Sequence, residues 1–93
     1  MAMDKQEFLE TSGLQVQVLD VWIEQQWLIP EKTPSGMRFR EIDVARARLI
    51  RELQSEIGAN DAGIDVILHL MDQLHGMRRV LAQLRREMGG PQA

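Results

Sequence analysis

The chain has no cysteine, which excludes a disulfide framework, a thiol nucleophile and a thiolate metal site while fitting any redox compartment. It also lacks any run near the ~20 apolar residues that a membrane span requires. Its acidic start, Met1-Ala2-Met3-Asp4, is unlike a secretory signal. A cytoplasmic protein with no membrane contact is the expectation. Cations are scarce as well. From Leu14 to Pro30 there is no lysine or arginine, and the formal net charge is −3, opposite in sign to that of a phosphate-neutralising domain. Residues 1–36 hold six acids and two lysines, whereas all nine arginines lie from Arg38 onward. Any nucleic-acid surface is therefore expected mainly in the second part of the chain.

Chemistry for catalysis is missing too. No nucleophile–base pairing, paired-carboxylate constellation or glycine-rich phosphate loop stands out. His69 and His75 are six residues apart on one helical segment, a spacing that puts them on different faces and argues against a metal pair. The expectation is a non-enzyme with no cofactor and no metal.

What is present suits a small folded protein. At 93 residues, 44% hydrophobic and 27% charged, the chain can build one core, near the lower size limit for self-sufficiency, where dimerisation helps. A short helix is expected over Asp4 to Thr11, carrying Phe8 and Leu9, and Ser12-Gly13 is a turn signal. Between Gln15 and Gln26, Val18, Leu19, Trp22 and Ile23 form a single buried stripe, so a second helix follows and the pair reads as a helix-turn-helix. Trp22 and Trp27 are expected in the core rather than at an interface.

Leu28-Ile29-Pro30 breaks that helix. Thr33-Pro34-Ser35-Gly36 then turns between Leu28-Ile29 and Met37-Arg38-Phe39, giving a small two-stranded wing. A third helix is expected from Glu41 to Ile57, with Ile42, Ala45, Leu49, Leu53 and Ile57 on its inner face, Ile50 beside them, and Gly58 just past its end. Asn60 or Asp61 caps a long last helix whose apolar residues Ile67, Leu70, Leu74, Met77, Leu81, Leu84 and Met88 alternate by three and four, a heptad seam. Ile64, Leu68 and Met71 add a second strip to its first half, suited to face the winged part. Gly89-Gly90-Pro91 ends the helix. The organisation is a winged helix-turn-helix over 1–58, a C-terminal helix over 59–90 within the same single domain, and a tail of 91–93.

This order resembles the MerR superfamily in Ser12-Gly13-Leu14, Leu19, Trp22-Ile23-Glu24, Trp27-Leu28-Ile29-Pro30, Gly36-Met37-Arg38-Phe39 and Asp43-Val44. The implied fold is mainly α, a MerR-like winged helix-turn-helix with a two-stranded wing and a long C-terminal dimerisation helix. Within that superfamily the chain is similar to the chaperone modulatory proteins of the CbpM type in Leu49-Ile50-Arg51-Glu52-Leu53, Gly63-Ile64-Asp65-Val66-Ile67-Leu68 and Leu70-Met71-Asp72. That likeness implies binding to the J-domain of a DnaJ- or CbpA-like co-chaperone, restraining its engagement of DnaK. The chain departs from that type at Gly36 and Arg38, where the wing is nearer the DNA-binding branch. The alternative is a DNA-binding regulator without a sensor domain.

Each reading has its residues. Leu74, Met77, Leu81, Leu84 and Met88 are the expected homodimer interface, because so small a domain cannot cover them. Asp61, Asp65 and Asp72 fall at zero, four and eleven along the last helix and share one stripe, a candidate docking face for a basic helix. Asp20 and Glu24 are a second acidic candidate. Asp20 stands where DNA-binding relatives usually carry an arginine. Under the DNA alternative, Gln15 and Gln17 read bases while Arg38 and Arg40 touch phosphates.

Overall fold

In the computed structural model, which describes residues 2–89, the first helix, α1 (Lys5–Ser12), begins at a reciprocal cap. The Glu7 backbone N–H donates to Asp4 Oδ1 at 2.8 Å, and the Asp4 N–H donates back to Glu7 Oε1 at 3.0 Å, so two otherwise orphaned donors are satisfied together. Gly13 ends α1 with φ 75°, a left-handed conformation that glycine adopts without a Cβ penalty. The chain turns there into α2 (Val16–Glu24), so the expected helix-turn-helix forms with its boundaries shifted by one or two residues.

The exit from α2 is a Schellman turn. Trp27 N–H reaches back to the Trp22 carbonyl and Gln26 N–H to that of Ile23, while Gln26 takes φ 63°, a place usually filled by glycine. The apolar contact that accompanies such turns is made by Trp22 and Trp27, whose rings lie 6.2 Å apart. Both tryptophans are 3% exposed, in the core as expected. Arg46, from the third helix, donates to the Trp27 carbonyl and holds the turn from the other side.

The wing differs from its expected limits. β1 is Glu31–Thr33 and pairs antiparallel with β2 (Gly36–Arg38), with Glu31 opposite Arg38 and Thr33 opposite Gly36. Leu28 is buried and Ile29 lies before the strand: Pro30 separates them from the ladder, and Leu28 is drawn into the core instead. Phe39 extends the sheet by a bridge to Met3, each backbone N–H donating to the other's carbonyl at 2.7 Å. That bridge brings Phe39 onto Phe8, the rings stacked at 4.3 Å and both fully buried. α1 thus packs against β2 and the third helix.

The third helix, α3, is Glu41–Glu52, and the chain continues as a π turn over Leu53–Ile57 closed by left-handed Gly58. Its inner line keeps the expected Leu53 and the neighbouring Ile50 but not Ile42, Ala45 or Ile57. Asp43, Ala47, Ile50 and Leu53 are buried, whereas Ile42 is 60% and Ile57 71% exposed. The true line contains a carboxylate, so it reads as polar in sequence. Asp43 is tolerated there because its Oδ2 accepts the Arg40 backbone N–H at 2.8 Å, a charge-assisted bond at the positive end of the helix. The π turn adds a residue to the last loop of helix and takes Ile57 off the line through Leu53.

The chain divides into two compact units, Met1–Asn60 and Asp61–Ala93. The second unit is built on α4 (Asp61–Met88). On it Ile64 and Leu68 are buried, while Leu70, Leu74, Met77, Leu81, Leu84 and Met88 are all exposed, as are Val66 and Val80. Gly89 N–H still bonds the Arg85 carbonyl. Gly90, Pro91 and the expected tail lie outside the described residues.

Candidate functional site

The outward arc of α2 is where a helix-turn-helix meets whatever it recognises, so its side chains decide what that surface can hold. At 100° per residue, Val16, Asp20, Glu24, Gln17 and Val21 succeed one another across about 140°, and all five are exposed. Asp20 is bound by Lys5 Nζ of α1 at 2.9 Å, an exposed pair of small energetic weight that neutralises one of the two acids. Glu24 extends the arc with negative charge. No cation belongs to α2, and Lys5, which reaches it from α1, is engaged with Asp20.

The two glutamines expected as base readers are both exposed and take different positions on α2. Gln15 is the N-cap residue with extended backbone (φ −78°, ψ 150°). Gln17 lies inside the helix, along a shallow groove of about 330 Å³ that it shares with Val18, Val21, Trp22 and Gln54. Val21 and Gln54 were not marked by the sequence. Val21 is an apolar residue off the buried stripe, which was a signal; Gln54 reaches the groove through the π turn, which the pattern of α3 did not show. Arg38 and Arg40 are exposed, Arg38 on the wing beside Glu31 of the neighbouring strand and Arg40 at the start of α3.

On α4, Asp61, Asp65 and Asp72 are exposed and fall within about 40° of one another. The seam residues Leu74, Met77, Leu81, Leu84 and Met88, also exposed, centre on the opposite side of the same helix. The stripe changes sign along its length, since Arg79 and Arg86 follow the aspartates on nearly the same line. His69 meets the Gln73 amide at 3.3 Å, an i,i+4 contact on the helix surface. Among the described residues no group of three or more His, Asp or Glu side chains is placed to hold a metal ion.

Arg51 Nη1 donates to the Ser12 carbonyl at 2.9 Å, so an arginine of α3 is occupied in closing α1 rather than facing a ligand. No helix among the described residues is long and apolar enough to cross a membrane. Searches of curated proteins and of solved structures returned no match. A family described as MerR HTH family regulatory protein matches residues 3–86, a span that takes in the capped α1, the α2 surface, the wing, α3 and nearly all of α4. With that match on a helix-turn-helix, a two-stranded wing and a long C-terminal helix, the chain belongs to the MerR family of helix-turn-helix regulatory proteins.

Proposed function

We propose that this MerR-family chain works as a homodimeric protein-binding adaptor, which holds the J-domain of a DnaJ- or CbpA-like co-chaperone and restrains its engagement of DnaK. The observation that carries the reading is the outer arc of α2. It presents Val16, Val21, Asp20 and Glu24 and no cation, the wrong sign for phosphate and a suitable one for a basic protein surface. The likeness of α4 to the chaperone modulators in Gly63-Ile64-Asp65-Val66-Ile67-Leu68 names the partner class. On α4 the two roles separate by face: the seam is left to a second copy, and the aspartate stripe, on the opposite side, to the basic helix of a J-domain. Binding there occludes the helix that the J-domain presents to DnaK.

Calorimetry with a purified J-domain tests the reading. The wild type is expected to bind, less tightly as salt rises. Reversing Asp65 and Asp72 to Lys is expected to weaken binding by at least about tenfold while leaving the seam intact. Equal affinity in the double variant would remove the stripe from the interface. The DNA-binding alternative draws on exposed Arg38 and Arg40, and tight, sequence-selective retention on duplex DNA at physiological salt would favour it.

A further inference from the structure

The groove along α2 has walls from two separate elements. Gln17, Val18, Val21 and Trp22 come from the helix and Gln54 from the π turn. Its lining is apolar apart from two carboxamides, each able to donate and to accept a hydrogen bond. Val21 is 49% exposed and Trp22 3%, so the lip is open and the floor is a packed aromatic. Beside it on α2, Asp20 and Glu24 are exposed and the helix carries no lysine or arginine, while Lys5 of α1 is paired with Asp20. An apolar slot on a negatively charged surface repels a second copy of itself and repels phosphate. It complements a basic helix with an aliphatic residue on its contacting face.

We propose that this groove seats one aliphatic side chain from a basic helix of the protein partner. Gln17 and Gln54 bond polar groups on either side of it, and Glu24 pairs with a lysine or arginine about one turn away. The inference rests on the adaptor reading, because it needs a basic protein partner. It adds an anchoring site on the winged unit that the aspartate stripe does not supply. Buried apolar anchors of this kind carry a large share of interface energy, whereas exposed ion pairs around them carry little.

Calorimetry of Val21→Arg, Val21→Leu and Gln54→Ala against the same J-domain tests it, with circular dichroism to show that each variant is folded. Val21→Arg is expected to weaken binding by at least about tenfold, since a guanidinium does not fit the apolar slot and repels a basic helix. Val21→Leu should stay within about threefold of the wild type, and Gln54→Ala should lose several-fold, because both walls contact the ligand. Wild-type affinity in Val21→Arg would overturn the groove and leave the adaptor reading standing. Absence of wild-type binding would overturn both. A change in sedimentation of Val21→Arg without any J-domain would assign the groove to a second copy and overturn the proposal.

Discussion

Gln26 is the residue at which local geometry and side chain disagree most. Its φ of 63° lies in a region where a Cβ is unfavourable, and the Schellman bonds from Gln26 and Trp27 hold it there. Gln26→Gly is expected to raise stability by about 0.5–1 kcal/mol, seen as a higher urea midpoint at unchanged m value. Asp43 shows the opposite balance. It is 6% exposed and its Oδ2 accepts the Arg40 N–H, so Asp43→Ala should lose about 1–3 kcal/mol by leaving that donor unpaired at the start of α3. Asp43→Asn keeps an acceptor oxygen and should recover part of the loss. Neither placement showed in the sequence: a glutamine in a left-handed position has no composition signal, and a buried aspartate interrupts the apolar pattern that would reveal its line.

At the scale of elements, α4 presents an exposed apolar face. Leu74, Met77, Leu81, Leu84 and Met88 are between 44% and 82% exposed and recur by three and four, the pattern two like helices bury between them. Under the proposed homodimer, Leu81→Asp with Leu84→Asp should give a monomer by sedimentation, because two charges per chain would be buried unpaired. Gly76→Ala is the matched control. Gly76 lies on the side away from the seam, and an added Cβ there meets nothing within 4 Å, so the change should stabilise α4 by about 1 kcal/mol without altering mass. An unchanged mass in the double aspartate variant would show that the seam does not hold a dimer. The seam was legible because a long amphipathic helix has one period and few neighbours to override it. The wing limits and the inner line of α3 were not: Leu28 was claimed by the core, and the choice between Ile42-Ala45-Leu49 and Asp43-Ala47-Ile50 depended on which face met α1.

For the whole molecule the deciding quantity is where charge sits. A net charge of −3, with no cation on α2, predicts that duplex DNA binds only weakly at physiological salt and that what binding exists falls steeply as salt increases. A fluorescence titration checks this, and nanomolar sequence-specific affinity would displace the adaptor reading in favour of Arg38, Arg40 and the two glutamines. The sequence by itself determined the order of elements, the helix-turn-helix, the tryptophans in the core, the heptad seam and the sign of the α2 surface, because each follows from local periodicity, turn chemistry or charge count. Only the tertiary structure decided that Asp43 lies inside, that Lys5 occupies Asp20, that Gln17 lines a groove, and that Gln54 closes that groove against α2. These depend on contacts between residues far apart in the chain and on a π turn that shifts register, and neither leaves a periodic trace in the sequence.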